Sequence, residues 1–210
     1  MYIVKEAMGR QEGRRPGPRR SERNAATPRL RRPERREQIL AAATAAFART
    51  GYAATSLEEI ATEAGVTRVI LYRHFESKAD LYRAVLDRAK ERIGAATRAP
   101  EFTDTSIEAL LAAAAEDPDG FRLLFHHAAR EPEFREEMDR FGAEAIAVTH
   151  RHLARVIRDR RWARWASQLV PVVAIEAVTA WLDAGQPDRT EAAERVRRAI
   201  HAVIEAAAER

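Results

Sequence analysis

The spacing of apolar residues is helical along nearly the whole chain from Pro33 onward. Ala, Arg, Glu and Leu dominate this part, and no stretch alternates between polar and apolar residues for long enough to predict a strand. In the first predicted helix, 34–50, one face carries the apolar residues Ile39, Leu40, Ala43 and Phe47. The pattern therefore predicts an all-α fold with about nine helices.

Two short helices are predicted after the first one. Ser56 and Glu59 have the spacing of a capping box, in which each side chain accepts from a backbone N–H of the other residue. Gly65 can adopt the positive φ that a tight turn needs, and Thr67 is placed to cap a very short third helix that ends near Phe75. Two short helices joined by a tight turn are typical of a helix-turn-helix motif, whose second helix lies in the major groove of DNA.

The rest of the chain predicts longer helices that are separated by Pro and Gly residues. A fourth helix begins near Ser77 and Asp80 and ends before Pro100. The later helices are predicted over 105–116, 119–130, 133–159, 162–184 and 188–208. Pro171 is expected either to kink its helix or to mark the true start of that helix.

Positive charge is concentrated near the N-terminus. The chain has a net charge of +4, whereas residues 1–36 hold 12 Lys and Arg against 4 Glu. We expect the Pro-, Gly- and Arg-rich stretch 9–33 to be disordered, because it cannot bury enough apolar surface to offset its ordering entropy. It is either an arm that attracts DNA phosphates or a solvated leader. We divide the chain into this leader, 1–33, a helix-turn-helix domain, 34–90, and a larger C-terminal domain, 91–210.

Composition excludes several kinds of site. With no cysteine among 210 residues, the chain has no disulfide, no thiolate nucleophile and no Cys-based zinc site. It has no run of 18 apolar residues, and charges stand where a signal peptide needs its apolar core, so we expect a cytoplasmic protein without a membrane partner. It also lacks a Gly-rich phosphate loop, a Gly-x-Ser-x-Gly elbow and a His-Glu-x-x-His motif, which disfavours an enzyme. No cofactor is expected.

The residues around the predicted helix-turn-helix form a distinctive string. It runs Thr55-Ser56-Leu57-Glu58-Glu59-Ile60-Ala61, then Ala64-Gly65-Val66-Thr67-Arg68, then Leu71-Tyr72-Arg73-His74-Phe75, and then Ser77-Lys78 with Asp80-Leu81. This string closely resembles the TetR family of transcriptional regulators, over roughly residues 35–90. The resemblance implies a DNA-binding protein whose C-terminal helical domain holds a small ligand and dimerises through its last two helices.

Candidate DNA contacts lie in and beside the third helix. Arg68 is in the first turn of this helix, where a guanidinium can donate to O6 and N7 of guanine, and it is the best candidate for reading a base. Tyr72, His74 and Lys78 offer hydroxyl, imidazole and ammonium groups to phosphate oxygens. The complete set of candidates is Thr55, Ser56, Thr67, Arg68, Val69, Ile70, Tyr72, Arg73, His74 and Lys78. Capping, packing or surface solvation is the structural alternative for each.

Two apolar residues in the third helix depart from the usual family pattern. Small residues are common where this chain has Val69 and Ile70. Contact with thymine methyl groups is one use for them, and one of the two side chains could instead point inward. The departure means that an operator sequence cannot be inferred from relatives.

The C-terminal domain offers candidates for a dimer contact and for an effector pocket. The dimer candidates, which form two apolar stripes suited to a two-fold interface, are Leu169, Val172, Val173, Ala177, Ala180, Val196, Ala199, Ile200, Val203 and Ile204. The pocket candidates, which combine apolar surface with a few polar groups, are Phe121, Leu124, Phe125, His126, His127, Phe141, Ile146, His150 and Trp181. Packing within the core of one chain is the alternative for both sets.

The histidines do not predict a metal site. His126 and His127 are adjacent, and His150 and His152 are two residues apart, so neither pair shares one helix face. The leading hypothesis is a dimeric repressor that a small-molecule effector releases from a nearly palindromic operator in double-stranded DNA. An architectural or activating protein with the same motif is one alternative, and an enzyme in the C-terminal domain is a disfavoured one.

Overall fold

The computed structural model describes residues 31–97 and 104–209. Within these ranges there are nine α-helices and no strand, so the predicted all-α fold is confirmed. The helices are α1 (Arg32–Ala54), α2 (Leu57–Glu63), α3 (Arg68–Tyr72), α4 (Lys78–Thr97), α5 (Asp104–Glu116), α6 (Pro118–Arg122), α7 (Arg135–Val156), α8 (Arg160–Asp183) and α9 (Arg189–Ala208). All but the last residues of the predicted leader, 1–33, lie outside the described residues.

The first four helices share one apolar core. Its fully buried members include Phe47 of α1, Ile60 of α2, Leu71 of α3 and Tyr82 of α4. The rings of Phe47 and Tyr82 meet edge to face with their centroids 4.9 Å apart, a favourable aromatic arrangement. Helix α1 continues past residue 50, where the predicted helix ends, and Gly51, with a φ of 80°, forms a kink inside it. We call α1, α2, α3 and the start of α4 the head, and α5 to α9 the body.

Polar side chains begin the helices where the sequence predicts. The hydroxyl of Ser56 accepts from the backbone N–H of Glu59 at 3.1 Å, and the carboxylate of Glu59 accepts from that of Ser56 at 2.8 Å, so the capping box is confirmed. The N–H that the Ser56 backbone donates to the carboxylate, followed by the Ser56 side chain, holds the pKa of Glu59 below its usual value. The side chains of Thr67 and Asp188 likewise accept from backbone N–H groups in the first turns of α3 and α9.

The segment predicted as one helix over 119–130 changes its pitch twice. After α6 the chain forms a π-helical turn, Leu123–His127, and then a 3₁₀ turn, Ala128–Arg130. Leu123 and Leu124 are consecutive in sequence, and both are buried. The spacing of apolar residues predicts a helix here but cannot distinguish a π-helical turn from an α-helical one, because both are wound from the same residue types.

Helix α8 packs against both α7 and α9. It begins at Arg160 and contains Pro171, so Pro171 does not mark its start. Among the residues that the structure describes, α8 alone is long and apolar enough to cross a membrane, with a mean hydropathy of 1.3 over a window that is 39% buried. Length and composition alone are weak evidence, because core helices of soluble proteins share them.

Helix α4 runs from the head into the body. It crosses residue 90, the predicted boundary between the helix-turn-helix domain and the C-terminal domain, without an interruption. Residues 32–210 form one compact unit by their contacts. The division at residue 90 therefore stays a prediction, and α4 is the covalent connection across it.

An aromatic cluster adds a packed connection between the head and the body. Phe134, which immediately precedes α7, is fully buried. Its ring lies edge to face on Tyr52 with centroids 5.1 Å apart, and 4.6 Å from the ring of Tyr82. The hydroxyl of Tyr52 donates to Glu133 at 3.1 Å, and burial followed by this carboxylate raises the pKa of Tyr52 to about 12. The start of α7 is thereby fixed to α1 and α4.

An ionic network connects the same two parts. The guanidinium of Arg88 in α4 lies 3.5 Å from Glu37 of α1 and 3.5 Å from Asp117, the N-cap of α6. It also donates to the hydroxyl of Thr44 at 2.7 Å, while Arg92 pairs with Asp117 at 2.6 Å. Only 12% of the Arg88 side chain and 14% of the Asp117 side chain are exposed. Removal of any one of these charged groups would therefore destabilise the fold, because an unpaired charge in such a buried site is unfavourable.

Two substitutions of Asp117 test this network. Asp117→Asn keeps a side-chain oxygen to cap α6 but removes the charge that faces Arg88 and Arg92, whereas Asp117→Ala removes both. We expect the free energy of unfolding to fall by about 1 kcal/mol for the asparagine variant and by about 2–3 kcal/mol for the alanine variant. Urea denaturation followed by circular dichroism measures both. An asparagine variant as stable as the unmodified protein would contradict the ionic contribution.

Candidate nucleic-acid interface

Helix α3 is fixed in place by the rest of the head. It contains only five residues, too few for a helix that is stable by itself. Leu71 anchors it in the core, where this side chain is fully buried. Gly65, with a φ of 60°, forms the turn from α2, and Thr67 caps the first turn. The orientation of α3 is therefore set by packing and by its two ends.

The opposite side of α3 is exposed to solvent. Val69 is 63% exposed, and Tyr72 and Arg73 are also exposed, whereas Ile70 is half-buried. Of the two apolar residues that depart from the family pattern, Val69 is thus the one that points outward. We call Arg68, Val69, Tyr72 and Arg73 the reading edge.

Arg68 is held between two side chains on this edge. Its Nη1 donates to a carboxylate oxygen of Glu58 in α2 at 2.5 Å, and its Nη2 donates to the hydroxyl of Tyr72 at 3.3 Å. The guanidinium also lies over the Tyr72 ring, 5.5 Å from its centroid. Glu58 was not among the residues predicted for the interface. An acidic residue in the first turn of α2 indicates only a favourable interaction with the helix dipole, and sequence alone does not reveal that it reaches α3.

The start of α1 adds positive charge beside α3. His74 lies just after the reading edge, and its pKa is lowered by burial and then by Arg32, Arg36 and Arg35. The guanidinium of Arg36 lies over the ring of Phe75, 5.1 Å from its centroid. These three arginines are near His74 in space although they precede it by about 40 residues. They belong to the basic N-terminal stretch and were not predicted individually.

The hydroxyl groups of Thr55 and Ser56, which are candidates for DNA contacts, form hydrogen bonds within the chain. Thr55 is only 2% exposed, and its hydroxyl donates to the carbonyl of Gly51 at 2.6 Å while lying 2.7 Å from the hydroxyl of Thr50. The Thr55 side chain is therefore engaged within the chain, and its contact with a phosphate stays a prediction. Ser56 is half-buried and caps α2, so its role at the interface stays a prediction.

Lys78 has a structural task in this fold. Its ammonium donates to the carbonyls of Tyr52, Ala53 and Thr55 at 2.8, 3.2 and 3.1 Å. It also lies 4.6 Å from the centroid of the Tyr52 ring. Three N–H groups thus satisfy carbonyls at the end of α1 and in the following loop, and they are not directed to a phosphate. The phosphate contact by Lys78 stays a prediction.

The candidates for an effector pocket are partly brought together in the body. Phe125 lies between Phe121 and Phe141, with ring centroids 4.8 and 6.2 Å away. Phe121 and Leu124 are buried, and Phe121 borders a void of about 10 Å³, which is roughly the room that one water molecule needs. Ile146 lies on a largely exposed part of α7. This described void is too small for an organic ligand.

Two histidines in the body bond to hydroxyl groups of α8. The Thr179 hydroxyl donates to a backbone carbonyl, so its oxygen accepts from Nε2 of His126 at 2.8 Å. The Ser167 hydroxyl likewise donates to a carbonyl and accepts from Nδ1 of His150 at 3.1 Å. Burial, followed by Arg130, lowers the pKa of His127. Within 31–97 and 104–209, no group of three His, Cys, Asp or Glu side chains could hold a metal ion.

Trp181 lies in a different place from the other pocket candidates that we predicted. Its indole donates to the carbonyl of Pro187 at 2.8 Å. It lines a groove of about 490 Å³ between α8 and α9, together with Ala177, Ala180 and Ala199. The groove between the last two helices, and not the aromatic cluster, is the surface to which Trp181 belongs.

The dimer candidates divide between the core and this outer surface. Val196 and Ile200 are buried within the chain, so they support the core of the body. Val172 is 51% exposed, and Ala180 and Ala199 are exposed as well. The remaining candidates are half-buried and are Leu169, Val173, Ala177, Val203 and Ile204. An apolar face on α8 and α9 thus remains open in the single chain.

Comparison with known sequences gives matches centred on the head. Residues 39–85 match the sequence model described as bacterial regulatory proteins, tetR family. The HTH-type transcriptional activator FasR of Mycolicibacterium smegmatis is 41% identical over 107 residues, which are 47% of this chain and 49% of that protein. The HTH-type transcriptional regulator TtgR of Pseudomonas putida is 46% identical over 71 residues, or 34% of each chain. The chain therefore matches about half or less of the length of these curated relatives.

The match to solved structures extends into the body. A TetR-like transcriptional regulator from Rhodococcus sp. RHA1 superposes with a TM-score of 0.70 and 20% identity, over 80% of this chain and 94% of the other. At this level of identity the similarity concerns the fold, which includes both the head and the helices that follow it. The head thus carries the sequence of the TetR family of bacterial regulatory proteins, and the chain shares its fold with a TetR-like regulator.

Proposed function

We propose that the chain is a sequence-specific DNA-binding regulator of transcription that acts as a homodimer and represses until an effector binds. The observation that carries this proposal is the reading edge. An arginine, an exposed valine and a tyrosine project from one side of a helix that the core holds rigidly. Such an edge suits the major groove, where each base pair presents a distinct set of donors, acceptors and methyl groups.

Each residue of the reading edge has a chemical task in this proposal. The guanidinium of Arg68 donates to O6 and N7 of a guanine, and the exposed methyl groups of Val69 contact a thymine methyl. Tyr72 and Arg73 donate to phosphates beside the groove, with Thr67 and Ser56 available for backbone or hydroxyl contacts. The arginines at the start of α1 add attraction that does not depend on sequence.

A two-fold dimer completes the proposed interface. The apolar face of α8 and α9, with Val172 near its middle, is the surface that we assign to the second copy. Two heads related by a two-fold axis read two inverted half-sites, about one helical turn apart or a multiple of it. The operator is therefore expected to be nearly palindromic.

The proposed effector is a small organic molecule that binds in the body. The aromatic cluster of Phe121, Phe125 and Phe141 with nearby imidazole and hydroxyl groups suits an apolar ligand with a polar end. Binding that separates these helices would change the position of the heads through Phe134 and the network of Arg88. An activator with the same head is the alternative, since the relative FasR is named an activator.

Other functions have less support. The matched family consists of regulatory proteins, which favours regulation over an enzymatic activity in the body. A regulator that binds chromosomal DNA in a bacterium acts in the cytoplasm, and we propose that location. A reporter gene placed behind the selected binding sequence distinguishes repression from activation by the sign of its response.

Arg68→Ala tests the reading edge. The unmodified protein first selects a preferred duplex from a random-sequence library, and the affinities of both proteins for it are then compared by fluorescence anisotropy. We expect the variant to bind this duplex about tenfold or more weakly, because each copy loses a base contact. Arg49→Ala is the matched control, since Arg49 is also an exposed arginine of the head in an ion pair, with Glu63 at 2.7 Å. Equal losses in both variants would contradict base reading by Arg68.

Val172→Glu tests the dimer surface. Two carboxylates would be buried without partners near the two-fold axis, so we expect the dimer to dissociate about 100-fold more readily and operator binding to fall with it. Sedimentation velocity over a range of protein concentrations measures the dissociation. Val148→Glu is the control, because Val148 is comparably exposed but lies on α7. A dimer that persists unchanged in the Val172 variant would rule out this face.

A further inference from the structure

We propose that Glu58 is a specificity-determining residue, which prevents Arg68 from strengthening the binding of DNA that offers it no guanine. The inference rests on the proposed function, and it assigns a role to a side chain that carries the wrong charge for a DNA-binding surface. Glu58 is on α2 and Arg68 on α3, so the pair joins the two helices of the motif across their outer side.

The pair is exposed and well aligned. The carboxylate oxygen of Glu58 lies 2.5 Å from Nη1 of Arg68, while 56% of the Arg68 side chain and 69% of the Glu58 side chain are exposed. Tyr72 contacts the guanidinium from the other side through its hydroxyl and its ring. Because Arg68 begins the reading edge, the carboxylate of Glu58 lies on the same surface as the groups that meet DNA.

On DNA of arbitrary sequence, the pair of Glu58 and Arg68 reduces the electrostatic attraction between the protein and the phosphates. A free arginine at this edge would attract any phosphate and release a counterion on binding. The carboxylate cancels this charge at a distance of 2.5 Å. Arg68 therefore adds little to binding wherever the DNA presents only phosphates.

On the cognate sequence, the same pair leaves base reading intact. A guanidinium has five N–H groups, and Glu58 accepts from Nη1 alone. Tyr72 accepts from Nη2, so three of the five N–H groups are available to O6 and N7 of guanine, and the carboxylate keeps the guanidinium plane from rotating. Glu58 thus acts through Arg68 as a positioning residue, and it widens the difference in affinity between cognate and other DNA.

Glu58→Gln tests this role, because glutamine preserves the shape and removes the charge. We expect the affinity for a scrambled duplex to rise about three- to tenfold. This affinity should also depend more steeply on salt concentration, by the amount that corresponds to about one additional phosphate contact in each copy. The affinity for the selected duplex should change less, so the ratio of the two affinities falls. Glu63→Gln is the matched control, since Glu63 is an acidic residue of the same helix that pairs with Arg49 and not with Arg68.

A double variant separates action through Arg68 from simple repulsion of phosphates. In an Arg68→Ala background, Glu58→Gln should no longer change the affinity for the scrambled duplex by more than about twofold. A full effect in that background, or an equal effect of Glu63→Gln, would overturn the proposal. So would an unchanged affinity ratio in the single variant, provided that the unmodified protein selects a sequence. If the unmodified protein selects none, the proposed function itself fails.

Discussion

The burial of Leu71 is the constraint on which the reading edge depends. A five-residue helix does not keep its position by its own hydrogen bonds, so the direction of Arg68, Val69 and Tyr72 follows from how Leu71 packs in the head. The turn at Gly65 and the cap by Thr67 remove the remaining freedom. The recognition of DNA that we propose therefore depends on the core of the head, because the core sets the direction of the exposed side chains.

The head is in turn fixed to the body by two chemically different contacts. Phe134 packs between Tyr52 and Tyr82, which is an apolar contact that resists sliding. Arg88 forms ion pairs with Glu37 of α1 and with Asp117, the N-cap of α6. These ion pairs are directional, and a small displacement of either partner breaks them. Both contacts lie between α3 and a change in the body near α6 or the start of α7.

Local sequence patterns predict much of this structure. The helices, the capping box of Ser56 and the inward position of Leu71 follow from spacing and residue type, because each depends on neighbours within one or two turns. Thr55 and Lys78 could not be placed in the same way. Spacing puts their polar groups at a helix end but does not reveal that they donate to carbonyls of the chain itself. The pair of Glu58 with Arg68 and the π-helical turn depend on tertiary packing.

The central claim is that Arg68 reads guanine in the major groove from a rigid α3. Methylation interference measures this most directly, since a methyl group on N7 of guanine blocks the acceptor that Arg68 needs. We expect methylation of one guanine in each half-site of the selected duplex to prevent binding of the unmodified protein and to have no effect on Arg68→Ala. Interference that is absent, or that is equal in both proteins, would contradict it.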